Sequence, residues 1–89
     1  MRDEFWADRG IAYRTNGLDE FRETLVFIHG LGPSCSIWEA FEATLESEFN
    51  ILTYDLRGHG WSKKYENYAD YDLAWLADDL RALLEHLRI

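Results

Sequence analysis

The spacing of apolar residues changes along the chain, and each change predicts an element. Leu25-Val26-Phe27-Ile28 is a continuous apolar run, stopped by Gly30, Gly32 and Pro33. Such a run without alternation predicts a strand buried on both faces, as in a parallel sheet. Asn50-Ile51-Leu52-Thr53-Tyr54-Asp55 predicts a second buried strand. Between them Trp38, Phe41, Leu45 and Phe49 recur at helical spacing, and Ser36 followed by Glu39 has the pattern of a capping box, so a helix is expected to begin at Ser36. Leu73, Leu76, Leu80, Leu83, Leu84 and Leu87 form one stripe and predict a helix over Asp70 to Arg88, with Asp70 and Asp72 at its positive end and Arg88 at its negative end. Ahead of all these, Phe5-Trp6-Ala7 and Ile11-Ala12-Tyr13 flank Asp8-Arg9-Gly10, which reads as a β-hairpin, and Asn16-Gly17 marks a further turn. A hairpin followed by strand, helix, strand and helix predicts an α/β fold with a right-handed parallel crossover, in one domain over residues 1–89.

Charge narrows the list of partners. Seventeen acidic residues against nine basic ones leave a net charge of -8. Nucleic acid and anionic membrane both call for a basic face, so neither is expected as a partner. No apolar stretch follows Met1-Arg2-Asp3-Glu4 and the longest apolar run is far too short for a bilayer, so neither a signal peptide nor a membrane span is expected. The single cysteine, Cys35, cannot form an internal disulfide. A cytoplasmic location follows as the expectation.

Candidate chemistry lies in the two loops that follow the buried strands, because open α/β sheets bind ligands at the carboxyl ends of their strands. His29-Gly30-Leu31-Gly32 follows the first strand, and three readings compete for it. It is a glycine turn into the helix; or a dinucleotide fingerprint, since Gly30 to Cys35 reads G-x-G-x-x-C and Asp55 ends the next strand; or a loop whose amides stabilise an oxyanion. Against the fingerprint, Cys35 stands where a glycine or alanine is wanted, and Pro33 removes an amide. The second loop reads Asp55-Leu56-Arg57-Gly58-His59-Gly60-Trp61-Ser62. Asp55 and His59 have the look of a catalytic pair, but buried polar groups need partners, and Asp55, Arg57 and Ser62 are expected to brace the loop.

Taken together, "LVFIHGLGPSCSIW" and "ILTYDLRGHGWSKK" resemble the front part of an α/β-hydrolase. The similarity is greatest to the cofactor-free branch that includes enol-lactonases, carboxylesterases, C–C bond hydrolases and epoxide hydrolases. There, one strand ends in H-G and the next in D-x-R-G-x-G-x-S, and "YDLAWLADDLRALLEHL" resembles the helix that precedes the nucleophile strand. The resemblance implies that the backbone N–H of Leu31 is a donor of the oxyanion hole. It implies that His29, Gly30, Gly32, Asp55, Arg57, Gly58, Gly60 and Ser62 support the loops, and that Trp38 lines or backs the pocket or packs in the core. It makes neither His59 nor His86 the catalytic base. The family's nucleophile sits in G-x-S-x-G after the next strand. No such motif occurs here, and Ser34, Ser36, Ser47 and Ser62 lie in other contexts. Cys35 beside a helix start is a conceivable nucleophile, although a small buried thiol is its ordinary role.

The resemblance therefore implies an incomplete sheet, carrying part of a site for small-molecule carbonyl substrates such as esters and lactones. It implies no metal and no cofactor, and no activity from this chain alone. The strand Leu25 to Ile28 would lack its next neighbour, and an unpaired apolar edge invites self-association or pairing with a complementary C-terminal part. A stand-alone non-catalytic module and a nucleotide-binding domain are the alternatives.

Overall fold

The computed structural model describes all 89 residues. Its elements are strands β1 (Arg2–Trp6), β2 (Ile11–Thr15), β3 (Thr24–Ile28) and β4 (Asn50–Tyr54), with helices α1 (Glu39–Leu45) and α2 (Leu73–His86). The sheet order is β1-β2-β4-β3. β1 and β2 form the expected hairpin, turned by Ala7 to Gly10, with Gly10 at φ +67°. β2 pairs antiparallel with β4, and β3 pairs parallel with β4 from Thr24↔Asn50 to Ile28↔Tyr54. The sheet is therefore mixed, with one parallel crossover made through α1.

Alternation along the strands sorts the side chains onto two faces. Leu52 and Tyr54 of β4 join Ile11, Leu56 and Leu83 in the buried core beneath α2, with Val26, Leu80, Leu84 and Leu87 packed around them. On the opposite face, Phe27 of β3 stacks on Trp38, with ring centroids 5.2 Å apart, and meets Phe41 of α1.

Three sequence expectations are corrected. The run Leu25 to Ile28 is a strand, but it is only half-buried, and Ile28 is 48% exposed. Burial on both faces needs neighbours on both sides; β4, between two strands, is buried throughout, whereas β3 lies at the sheet edge. The expected helix from Ser36 is split: Cys35–Trp38 is a 3₁₀ turn capped by Ser34, whose Oγ accepts from the Ser36 amide, and α1 runs only from Glu39 to Leu45. The Asp55 carboxylate accepts from the Cys35 amide at 2.8 Å and so draws this first turn onto β4, a tertiary contact that overrides the local capping pattern. Phe49 lies beyond the end of α1. The last helix begins at Leu73. Asp70 belongs to a separate 3₁₀ turn, Tyr68–Tyr71, whose Asp70 carbonyl accepts from Arg57 Nη1 at 2.9 Å. Arg88 lies past the helix at φ +59°, and Leu73 is 80% exposed, off the buried stripe.

Candidate active-site loops

The parallel register puts Ile28 beside Tyr54, so the loops after β3 and β4 leave the sheet side by side. The β4 loop is built around a buried carboxylate. Asp55 accepts from the Cys35 amide through Oδ1 and from the Trp61 amide through Oδ2, at 2.8 and 2.9 Å. Ser62 Oγ donates to the Asp55 carbonyl at 2.6 Å and accepts from the Ala12 amide at 2.9 Å, which ties the loop's end to β2. The two glycines have steric reasons. A Cβ on Gly60, at φ +48°, would lie 2.3 Å from Asp55 Oδ2, and one on Gly58, at φ +78°, would lie 2.4 Å from the Tyr71 ring.

Arg57 anchors the loop to α2. Its Nε and Nη2 donate to the two carboxylate oxygens of Asp79, each at 2.8 Å, and its guanidinium lies 4.3 Å above the Tyr65 ring. Both charged groups are buried, and the Asp79 hydrogen bonds hold the Arg57 guanidinium above its ordinary pKa. Bidentate geometry of this kind makes a charge pair tolerable away from water. Arg9 reaches the same carboxylate at 3.2 Å and pairs with Asp78.

The β3 loop is different. His29 is buried; its Nε2 accepts from the Leu56 amide at 2.9 Å, and its Nδ1 lies 2.5 Å from the Gly30 carbonyl. Gly30 and Gly32 have open space where a Cβ would be, and Gly32 has φ +103°. The Gly32 amide donates to His59 Nε2 at 3.0 Å. Leu31 between them is 78% exposed, and its amide makes no hydrogen bond to the rest of the chain. Leu31 is among the residues lining an apolar groove of about 420 Å³, with Ile28, Leu56, Leu73, Leu76 and Leu80.

Two further residues from the sequence lie apart from that groove. Trp38 packs on Phe27 and Phe41 on the other face of the sheet, where its Nε1 has no hydrogen-bond partner. Cys35 is buried, and its thiol is pushed up to about 12, first by burial and then by the neighbouring Asp55 carboxylate. Burial of this kind disfavours the thiolate, which is the nucleophilic form. Asp55 is not presented to a ribose: it is buried, and each of its oxygens faces a backbone amide inside the fold. His86 stacks on Trp6 with ring centroids 4.2 Å apart, well outside the loops in sequence. No group of three or more His, Cys, Asp or Glu side chains is placed to hold a metal ion.

Sequence reasoning missed Asp79, Tyr71 and the contact of His59 with Gly32. Asp79 had a signal: it stands on the apolar stripe of α2, between Leu76 and Leu83, where an acid needs a buried partner. Glu42, buried on α1, is the same case. It accepts from Arg14 Nε and Nη2, at 3.2 and 3.1 Å. Tyr71 and the Gly32 contact of His59 had none, because they depend on how distant segments meet.

Residues 23–89 match the family model described as alpha/beta hydrolase fold. The chain is 34% identical over 82 residues to 3-oxoadipate enol-lactonase 2 of Acinetobacter baylyi, covering 92% of this chain and 30% of that protein. Among solved structures, it superposes on a hydrolase from Pseudomonas aeruginosa with a TM-score of 0.78 and 34% identity, over 89% of this chain and 29% of the other. A putative aryl esterase from Burkholderia cenocepacia gives a TM-score of 0.77 and 36% identity, over 85% and 28%. The chain thus spans under a third of the length of each.

Proposed function

The chain belongs to the α/β-hydrolase fold family, and on that premise we propose that it supplies the oxyanion loop of a serine-type hydrolase acting on esters, lactones or related small carbonyl substrates. The observation that carries this reading is the Leu31 amide. Around it the neighbouring polar groups are engaged: His29, the Gly32 amide, Asp55 and Ser62 all have partners, while the Leu31 N–H has none and stands at an apolar groove. A fixed, free amide at the end of a parallel strand is the donor that a tetrahedral oxyanion requires. The similarity to an enol-lactonase and an aryl esterase supports carbonyl substrates.

The nucleophile, its base and the second oxyanion donor come from outside these 89 residues in this reading, because the sequence contains no G-x-S-x-G. The chain alone is then inactive, and its complement is a C-terminal part that adds a strand to the open edge of β3. No helix is long and apolar enough to cross a membrane, and with one cysteine we place the protein in the cytoplasm. No metal or cofactor enters the proposed reaction.

The reading is tested by complementation. The purified chain is expected to give no turnover of p-nitrophenyl acetate above a denatured control. Co-expression with the C-terminal two-thirds of the Acinetobacter enol-lactonase is expected to give a hydrolytic complex. In that complex Leu31→Pro, which deletes the N–H, should lower kcat by about 10²–10³. A complex of proven assembly that shows no turnover, or in which Leu31→Pro is as active as the parent, would refute the proposal.

A second reading rests on the edge position of β3. Phe41, Ile28 and Leu73 are exposed, on α1, on β3 itself and on α2. Uncovered strand edges flanked by apolar surface pair with other chains. As a stand-alone module the chain would form dimers or larger assemblies without catalysing anything; sedimentation of a strictly monomeric species at high concentration would exclude it.

A further inference from the structure

His29 and His59 grip each other's loops. His29, on the β3 loop, accepts the amide of Leu56 on the β4 loop; His59, on the β4 loop, accepts the amide of Gly32 on the β3 loop. Both contacts use Nε2, at 2.9 and 3.0 Å, and both span 27 residues. Each ring's Nδ1 faces a carbonyl of its own loop, that of Gly30 for His29 and that of Arg57 for His59, at 2.5 and 3.0 Å. A carbonyl only accepts, so each Nδ1 carries the hydrogen and each Nε2 presents its lone pair. The two rings lie 5.2 Å apart.

The contacts bear on one residue. In a trans peptide the C=O and the following N–H point in opposite directions. The Gly30 carbonyl and the Leu31 amide belong to the same peptide unit, so the His29 Nδ1–H that holds Gly30 O turns the Leu31 N–H away from the buried ring. The next unit joins the Leu31 carbonyl to the Gly32 amide, and His59 holds that amide. Both peptide planes flanking Leu31 are therefore fixed by a histidine, one from each loop.

We propose that His29 and His59 form a reciprocal clasp that orients the Leu31 amide, with His59 as a positioning residue. This rests on the reading of Leu31 as the oxyanion donor. His29 is buried, whereas His59 is half-buried, and no other group of the chain accepts the Gly32 amide. In this clasp the lone pair that either ring would need as a base already holds a backbone amide.

The test uses the 89-residue chain labelled with nitrogen-15. An N–H···N hydrogen bond transmits a scalar coupling between its nitrogens, so cross-peaks are expected from Leu56 N to His29 Nε2 and from Gly32 N to His59 Nε2. His59→Ala should abolish the second cross-peak, keep the first, and drop the order parameters of the Leu31 and Gly32 amides from the rigid range near 0.85 toward 0.6. His59→Gln, whose side-chain oxygen accepts in a similar place, should restore them. A parent chain that lacks the Gly32–His59 coupling and carries the His59 proton on Nε2 overturns the proposal. So does an unchanged Leu31 order parameter in His59→Ala. If that variant does not fold, the parent coupling and the Gln variant decide. A clasp seen by these signals in a chain whose complemented complex is inactive would leave the clasp standing and remove the hydrolase reading; an active complex with no coupling would do the reverse.

Discussion

Two loops leave the same end of one parallel strand pair, each with two glycines and a histidine, and they are built in opposite ways. In the β4 loop the glycines are crowded: Gly58 lies against Tyr71 and Gly60 against the Asp55 carboxylate. Asp55, Arg57 and Ser62 are buried and hydrogen-bonded. In the β3 loop Gly30 and Gly32 face open space, and Leu31 offers a free amide. The cause lies in the strands beneath. β4 is flanked by β2 and β3 and covered by α2, so its loop emerges into packed surroundings, while β3 has a neighbour on one side only. One glycine pair makes room for side chains that must come close; the other leaves the backbone accessible. Rigidity sits in one loop and access in the other, and the histidines couple them.

The sharpest way to break this contrast is to unload the rigid loop. Asp79→Ala strands the buried Arg57 guanidinium, and breaking a buried pair from one side costs about 3–5 kcal/mol. The urea midpoint is expected to fall by that measure, or the chain to unfold outright. A loss below about 1 kcal/mol would mean that Arg57 finds water and that the β4 loop is not rigid in the sense argued.

The glycines give a matched pair of experiments. Gly60→Ala adds a carbon 2.3 Å from a carboxylate oxygen at a left-handed φ, and should cost about 2–4 kcal/mol from overpacking and backbone strain. Gly30→Ala meets no atom within 4 Å and should change stability by no more than about 0.5 kcal/mol. Equal effects in urea unfolding would erase the distinction between the loops.

The smallest effect concerns Cys35, where the two loops join. Its thiol is pushed up from 9.0 to about 12 in the folded chain, mainly by burial. Below the unfolded value both states hold the proton, and its contribution to stability is complete. As pH rises from about 9 toward 12 the unfolded chain ionises while the folded one does not, and stability falls. Tyr54, also held near 12 by burial, adds to the same fall, so the comparison is between the parent and Cys35→Ala. The variant should lose less stability than the parent between pH 8 and 11, as read by urea midpoints. Identical pH slopes would place the thiol in contact with water.

Much of this was legible in the residues. The continuous run Leu25 to Ile28 and the stripe of leucines from Leu76 to Leu87 report a strand and a helix because burial imposes a period on neighbouring positions. The order hairpin, strand, helix, strand, helix then leaves few topologies, and the two loop motifs pointed to the family that the comparisons show. Other features stayed hidden. Ser34 caps the first turn in place of Ser36 because Asp55, on another strand, takes the Cys35 amide. β3 proved half-open because an apolar run states what a strand can bury and not which neighbours it has. The partners of His29, His59 and Arg57 lie 22 to 27 residues away, at Leu56, Gly32 and Asp79. Local patterns are set by one residue's spacing from the next, so the chain alone determined its elements and their order. Contacts between loops are set by sheet register and helix placement together, and only the folded arrangement decided which amides the histidines hold and which one is left free.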